Sequence, residues 1–365
     1  MVQLSRATKF TGICVCVYVT YVLFVFILLP SLMPDVVTLQ RALVAYKTRH
    51  LGNLSNYTLE TGGQPLRSML VSFRGSGALT LLDNLAHQPG CYQHYAPLIA
   101  YHNRSTAHKH QAQVLDELVA LYNCNYNKSS EMIHWGMRSA IFRRFYGAQS
   151  KTCLTHSLAD CWNPETMAGV CKLHPFINMA VYNMRLEYLV SLLEKEGLNL
   201  RILLLVRDPR GTMYLRKQRQ WCVGEEDCEA ETLCKDMVSD HKIAETLVKN
   251  YPRRFEIIRY EDLLEHPEES IKLAFDFYGI PMERPKTKTR GLHSRSEPVV
   301  ESLGWELPWK YSIQPAYEWM HKMPLADIQA VQNVCTEAME LWDYRIIQDF
   351  EHFSADTFEP FMGKA

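Results

Sequence analysis

Residues 201–211 read RILLLVRDPRG, and this stretch decides the fold class. A continuous apolar run such as the one ending at Val206 is typical of a parallel strand buried on both faces, so we predict a strand over Arg201–Val206. Behind it, Asp208 is placed to cap a following helix, and Pro209 suits the first turn of that helix. The stretch therefore predicts a strand, an arginine-bearing loop and a helix in succession.

The flanking sequence repeats this alternation. We predict further strands at Ser68–Phe73, Phe176–Met184 and Phe255–Tyr260. Helices are predicted at Leu79–His87, 108–122, 133–146, 185–196, 267–278 and 325–341, with a cysteine-bearing insert at about 150–172. Strands that alternate with helices predict a single α/β domain with a central parallel sheet. Ligands of such sheets bind beyond the carboxyl ends of the strands.

A glycine-containing loop, Arg74-Gly75-Ser76-Gly77-Ala78, follows the strand predicted at Ser68–Phe73. Its glycines allow a tight turn, and the next helix points its N-terminal amides at the same place, so the loop suits an anion. It is not a nucleoside-triphosphate loop, because G-x-x-x-x-G-K-[ST] is absent. An ordinary strand-to-helix turn is the alternative for this loop alone. With Arg207 at a second strand end, a ligand carrying two phosphate groups is favoured.

Composition limits the class of protein. The chain has 365 residues, 47% of them apolar and 22% charged, which fits one large globular domain plus a short extension. Its formal net charge of −1 argues against a nucleic-acid partner, since such proteins usually carry a basic excess.

The N-terminus carries an uncharged apolar stretch, residues 10–29, long enough to cross a bilayer as a helix. Arg6 and Lys9 precede it, so the positive-inside rule places residues 1–9 in the cytosol and the rest in the lumen. Residues 30–65 then form a polar lumenal stem, 66–350 the folded domain and 351–365 a C-terminal tail. A cleaved signal peptide is the alternative reading of residues 10–29.

Two further patterns favour a lumenal domain. Four N-x-[ST] sequons occur, at Asn53, Asn56, Asn103 and Asn127. Nine of the eleven cysteines lie after the apolar stretch, with spacings that do not match common zinc sites. We therefore expect disulfide bonds, with at least one thiol left over because nine is odd. The pairing stays open.

Several motifs resemble those of the Golgi carbohydrate sulfotransferases, particularly the galactose, N-acetylgalactosamine and N-acetylglucosamine 6-O group. Residues 74–79 resemble that family's R-S-G-S-S-F loop for the 5′-phosphosulfate, and residues 205–211 its L-V-R-D-P-R-A/G loop for the 3′-phosphate. Residues 259–263 repeat its R-Y-E-D-L unchanged, while Trp309-Lys310 and residues 335–344 are similar to its C-terminal motifs.

The resemblance implies a P-loop-like sulfotransferase fold in a single-pass type II protein of the Golgi membrane, with its catalytic domain in the lumen. It implies 3′-phosphoadenosine 5′-phosphosulfate as the donor and a glycan as the acceptor, with no metal required. Arg74 would be catalytic. The implied donor-binding positions are Arg74, Gly75, Ser76, Gly77, Ala78, Leu79, Arg207 and Leu215.

Some matched positions depart from the family pattern. The last hydroxyl of the glycine loop is replaced by Ala78, the serine before Arg216 by Leu215, and the glutamate of E-P-L, the family's candidate base, by Ala96. His94 is a candidate substitute, because imidazole titrates near neutrality and positions 94 and 96 of a strand face the same side. A structural histidine is the alternative. Two functions stay open: an active enzyme, or a catalytically impaired lumenal module that binds glycan or nucleotide.

Overall fold

The computed structural model describes residues 6–28, 35–101, 103–154, 156–222, 224–281 and 314–361. Within these ranges the predicted α/β domain is confirmed. Five strands form one sheet, in the order β2-β3-β1-β4-β5, and every neighbouring pair is parallel. The strands are β1 (Leu66–Ser72), β2 (Cys91–Tyr95), β3 (Phe176–Val181), β4 (Leu200–Val206) and β5 (Phe255–Arg259).

Helices connect the strands and cover both faces of the sheet. In chain order they are α1 (Arg6–Leu23), α2 (Val36–Thr48), α3 (Leu79–His87), α4 (Arg104–Lys109), α5 (Gln111–Tyr122), α6 (Ser130–Arg138), α7 (Ala140–Arg144), α8 (Gly147–Thr152), α9 (Leu158–Cys161), α10 (Pro164–Lys172), α11 (Leu186–Glu194), α12 (Pro209–Lys217), α13 (Ala230–Asn250), α14 (Tyr260–Glu265), α15 (Pro267–Tyr278), α16 (Gln314–Lys322) and α17 (Leu325–Leu341).

Three of the helix predictions match the structure at both ends, namely α3, α15 and α17. The helix predicted over 133–146 is wrong, because Ser139 adopts an extended conformation and its side chain accepts the Phe142 amide hydrogen, which starts a new helix. The helix predicted over 108–122 is likewise interrupted at His110, whose φ of −116° and ψ of 24° lie outside the helical range.

Two apolar clusters pack on opposite faces of the sheet, and successive residues of each strand alternate between them. Met69 and Val71 belong to one cluster and Leu70 to the other; along β4, Leu204 and Leu203 divide in the same way. Every residue from Ile202 to Val206 is completely buried. This double burial explains why β4 is a continuous apolar run.

The N-terminal region contains two helical segments. Residues Thr11–Leu28 have a mean hydropathy of 2.4, none of them is buried, and they are long and apolar enough to cross a membrane. The segment predicted as a polar stem contains α2, which packs against α10. Val36 is buried, and Val37 lies directly against Gly169. Part of that segment is thus folded onto the domain.

Four disulfide bonds are present: Cys124–Cys171, Cys153–Cys161, Cys222–Cys228 and Cys234–Cys335. Cys91 is the cysteine left over, as the odd count requires. It is buried on β2, and this burial raises the pKa of its thiol to about 12.

Candidate functional site

Two loops meet at the carboxyl edge of the sheet. The glycine loop, residues 74–79, follows β1, and the arginine loop, residues 207–211, follows β4. β1 and β4 are neighbours, with Ser72 paired to Leu205. The chain leaves β1 toward β2 on one side and leaves β4 toward β5 on the other, so a crevice opens between the two loops. This is where an open α/β sheet binds its ligand.

The glycine loop depends on backbone conformations that other residues rarely adopt. Gly75 has a φ of 89° and Gly77 a φ of 82°. Between them, the Ser76 amide donates a hydrogen bond to Phe73 O at 3.0 Å. A Cβ on Gly77 would lie 2.1 Å from the Tyr260 ring, so the R-Y-E-D-L tyrosine packs directly on this loop.

Four hydrogen-bond donors between Ser76 and Leu79 have no acceptor in the part of the chain that the structure describes. The Ser76 hydroxyl is buried and has no hydrogen-bond partner among the described residues. Within that same part of the chain, the amides of Gly77, Ala78 and Leu79 also lack an acceptor, and no side chain caps α3. A buried hydroxyl without a partner is costly, and free amides at a helix N-terminus attract negative charge, so an anion fits the loop well.

Arg207 joins the two loops. It is 3% exposed, and its Nη1 donates a hydrogen bond to Gly75 O at 3.2 Å. Its guanidinium lies over the Tyr260 ring, 4.5 Å from the ring centroid. A residue on the arginine loop therefore fixes the position of the glycine loop.

Arg74 lies at the start of the glycine loop, under an aromatic ring. Its guanidinium carbon is 3.8 Å from the centroid of Trp221, a close cation–π distance. Burial lowers the pKa of Arg74, and nearby negative charges, including Asp227 and Glu225, partly offset the shift. Since arginine stays protonated in proteins, Arg74 places a positive charge at the start of the loop.

Arg216, on α12, is hydrogen-bonded to the backbone of the glycine loop. Its Nε donates to Arg74 O at 2.8 Å, and its Nη1 donates to Asp227 O. Burial lowers the pKa of Arg216 to about 10, still far above neutrality. Its neighbour Leu215, a predicted donor-binding position, is partly buried and carries no polar group.

Arg210, the second arginine of the arginine loop, is structural. It is completely buried and pairs with Asp208 at 2.7 Å, while its Nη1 donates to Gln332. The predicted helix cap is confirmed, since Asp208 Oδ1 accepts from the Arg210 amide at 2.8 Å. Glu261 accepts in turn from the Asp208 amide at 3.0 Å.

The proposal that His94 acts as the base is wrong on this geometry. His94 has no exposed surface, its Nε2 lies 2.8 Å from the Tyr126 hydroxyl, and its ring packs edge-on against Tyr92. Burial lowers the pKa of His94 to about 3. A side chain enclosed in the core cannot reach a substrate hydroxyl. The expectation that residues 94 and 96 share a face also fails, because Ala96 has a φ of 44° and lies beyond the end of β2.

A short loop beside Arg74 was not predicted from the sequence. Trp221, Glu225 and Asp227 lie in or next to the segment closed by Cys222–Cys228. Asp227 Oδ2 accepts from the Arg104 amide at 3.0 Å, and Glu225 is partly exposed. The closely spaced cysteines were the available signal. The Trp309-Lys310 motif lies outside the described residues.

Comparison with known proteins identifies the family to which the folded domain belongs. The family model for the sulfotransferase domain matches residues 65–343. Carbohydrate sulfotransferase 5 of Mus musculus is 24% identical over 60% of this chain and 62% of its own length, so the chain spans less than two thirds of that relative. Carbohydrate sulfotransferase 4 of Mus musculus is 23% identical over 78% of this chain and 83% of its own. The sulfotransferase domain of the Synechococcus PCC 7002 olefin synthase is 15% identical, with a TM-score of 0.42 over 78% of this chain and 96% of that structure.

Proposed function

This chain belongs to the sulfotransferase family, and we propose that it transfers a sulfuryl group from 3′-phosphoadenosine 5′-phosphosulfate to the 6-hydroxyl of a sugar in a glycan. The observation that carries the proposal is the meeting of the glycine loop and the arginine loop at the carboxyl edge of β1 and β4. One ligand with two separate anionic groups can bind both loops.

The 5′-phosphosulfate fits the glycine loop. The Ser76 hydroxyl and the amides from Gly77 to Leu79 supply neutral donors, and Arg74 supplies a positive charge. The 3′-phosphate fits the arginine loop, where Arg207 lies between Gly75 and Tyr260. Ala78 contributes its backbone amide, whereas the family's hydroxyl at this position is lost. Leu215 can contribute only apolar contact.

The reaction is an in-line displacement at sulfur. The sugar hydroxyl oxygen forms a bond to sulfur while the bond from sulfur to the bridging phosphate oxygen breaks. Negative charge grows on that oxygen, and Arg74 with the loop amides is placed to stabilise it. The products are the sulfated sugar, 3′-phosphoadenosine 5′-phosphate and the proton of the hydroxyl.

The released proton needs an acceptor, which we assign to Glu225. Ala96 cannot accept a proton and His94 is enclosed in the core. Two described carboxylates, those of Asp227 and Glu225, act electrostatically on Arg74. Asp227 is 9% exposed and accepts from the Arg104 amide, whereas Glu225 is partly open to solvent and can meet an acceptor sugar.

The cellular setting belongs to the same proposal. An apolar helix at Thr11–Leu28 fits a type II anchor in the Golgi membrane, and four disulfide bonds fit an oxidising lumen. Asn53, Asn56 and Asn127 are exposed and fit N-glycosylation. Asn103 is half-buried, and its side chain accepts from the Thr106 amide.

A transfer assay tests the function. The full chain in detergent is given 3′-phosphoadenosine 5′-phosphosulfate labelled in its sulfate, together with defined glycans and matched 6-deoxy glycans. We expect label on the glycans that carry the 6-hydroxyl and none on the matched 6-deoxy set. Nucleotide binding without transfer to any glycan would instead support the catalytically impaired module, and absence of nucleotide binding would rule out both the enzyme and a nucleotide-binding module.

A further inference from the structure

The loop closed by Cys222–Cys228 touches both arginines at the base of the glycine loop. Trp221, next to Cys222, covers one face of the Arg74 guanidinium at 3.8 Å. Asp227, next to Cys228, accepts a hydrogen bond from Arg216 through its backbone carbonyl. Arg216 in turn donates to Arg74 O at 2.8 Å. The two ends of one small loop thus hold the side chain and the backbone of Arg74.

The disulfide bond is what keeps these two ends together. The structure describes the loop apart from residue 223, and most of its remaining residues are half-buried or exposed, Gly224 and Glu226 being the exposed ones. Among its described residues, two turn hydrogen bonds form, from the Glu225 amide to Cys222 O and from the Cys228 amide to Glu225 O. A segment with so little burial samples many conformations unless a cross-link restricts it.

Trp221 contacts the guanidinium of Arg74 through the face of its ring, 3.8 Å from the guanidinium carbon to the ring centroid. An aromatic ring binds the flat face of a guanidinium, while the N–H groups lie in its plane and point outward. A stacked Arg74 therefore loses side-chain freedom before the ligand arrives. Fixing a binding group in advance improves affinity because less entropy is lost on binding.

We infer that the Cys222–Cys228 loop is a positioning device for the donor site, holding Arg74 through Trp221 and through the contact between Arg216 and Asp227. The inference rests on the proposed function, since it assigns Arg74 to the nucleotide donor. It differs from the assignment of Glu225 as the base, because positioning affects equilibrium binding of the nucleotide and a base affects turnover.

The test measures the Kd of 3′-phosphoadenosine 5′-phosphate for the full chain in detergent. In C222S/C228S we expect the Kd to rise about tenfold or more, the scale of one weakened charged hydrogen bond. The control is C153S/C161S, which removes another short-range disulfide, in the insert at residues 150–172, and should keep the wild-type Kd. Trp221→Ala should also weaken binding, while Trp221→Phe, which keeps an aromatic face, should restore most of it.

The outcomes separate the inference from the function. A wild-type Kd in both C222S/C228S and Trp221→Ala overturns the inference, as does an equal loss in C153S/C161S. If the C222S/C228S protein does not fold, the comparison of Trp221→Ala with Trp221→Phe decides alone, and equal affinities for the two overturn the inference. Failure of the wild-type chain to bind the nucleotide overturns the proposed function itself.

Discussion

Arg207 donates a hydrogen bond to the backbone carbonyl of Gly75 at 3.2 Å, which links the loop after β4 to the loop after β1. The bond joins two segments far apart in sequence but adjacent on the sheet, because Ser72 pairs with Leu205. Arg207 therefore has two roles in the proposed donor site: it supplies charge and it sets the distance between the two anion-binding loops.

Replacing Arg207 with lysine tests this double role. Lysine keeps the charge but has no planar fork of donors, so it cannot hold Gly75 O and a phosphate in the same way. We expect the affinity for 3′-phosphoadenosine 5′-phosphate to fall about tenfold or more, measured by calorimetric titration. Arg219→Lys is the control, because Arg219 is exposed, and it should bind as the wild type does. Equal affinities for the two variants would count against the role of Arg207.

Gly77→Ala tests the close contact between the glycine loop and Tyr260. The alanine would have to adopt a φ of 82°, and its Cβ would lie 2.1 Å from the ring, so both the backbone and the ring must move. Gly197→Ala is a matched control, with a φ of 75° and no atom within 4 Å of the added Cβ. We expect Gly197→Ala to cost roughly 1 kcal/mol in the free energy of unfolding and to keep nucleotide binding.

Gly77→Ala should cost more free energy than that control and should lose nucleotide binding. Thermal unfolding followed by tryptophan fluorescence, with and without nucleotide, measures both effects. Similar losses in the two variants would show that backbone strain alone, and not contact with Tyr260, makes glycine necessary at position 77.

The sequence predicted much of the sheet and both loops, because their signals are local. The apolar run before Arg207 predicts a strand wherever it packs, and the glycines around Ser76 predict a tight turn. The predicted start of β4 at Arg201 differs by one residue from the structure, where Leu200 begins the strand. Local patterns of this kind hold because backbone geometry and burial act on the same few residues.

The contents of the site were harder to predict. Which face of β2 is enclosed depends on the packing of Tyr126 and other distant residues, so the sequence around His94 could not show that this histidine is buried. The contact between Trp221 and Arg74 likewise depends on the conformation of a loop with no regular periodicity. The pairing of Cys222 with Cys228 was one of many that nine cysteines allow.

Glu225→Gln tests the proposed base. Loss of a general base typically lowers turnover by about 10² to 10⁴, so we expect kcat to fall by at least about a hundredfold. The Kd of 3′-phosphoadenosine 5′-phosphate should not rise, since the amide preserves size and removes a negative charge that acts on Arg74. Glu226→Gln, at an exposed neighbouring position, should keep wild-type kcat.

His94 provides the opposing test of the same assignment. With His94 enclosed beside Tyr126, His94→Asn should lower stability, but the correctly folded fraction should keep most of its turnover. The inflection that the catalytic base gives in the pH profile of kcat should disappear in Glu225→Gln and remain in His94→Asn. The opposite result would reverse the assignment.

Glu117 makes stability depend on pH with a defined sign. Burial raises its pKa to about 7, and the nearby hydroxyl groups of Ser129 and Tyr101 partly offset this shift. Between the unfolded pKa, about 4.5, and 7, the folded chain keeps this proton while the unfolded chain loses it. The contribution of Glu117 to stability is therefore complete below pH 4.5 and disappears as the pH rises through 7.

Two buried histidines oppose this trend, because burial lowers the pKa of His94 to about 3 and that of His174 to about 4. Their contributions to stability are complete above the unfolded histidine pKa, about 6.5, and are lost as the pH falls below it. Burial also raises the pKa of Glu261 to about 7, so Glu261 acts in the same direction as Glu117. The dependence of the wild-type unfolding free energy on pH is therefore the sum of opposite slopes. A comparison of variants is needed to isolate one group.

Glu117→Gln isolates the group, because glutamine is neutral at every pH. We expect the difference in unfolding free energy, wild type minus variant, to decrease steadily from pH 4.5 to 8, measured by denaturant titration of the full chain in detergent. His94→Asn should give a difference of opposite slope between pH 4 and 6.5. A difference for Glu117→Gln that is constant with pH would mean that Glu117 titrates normally in the folded chain.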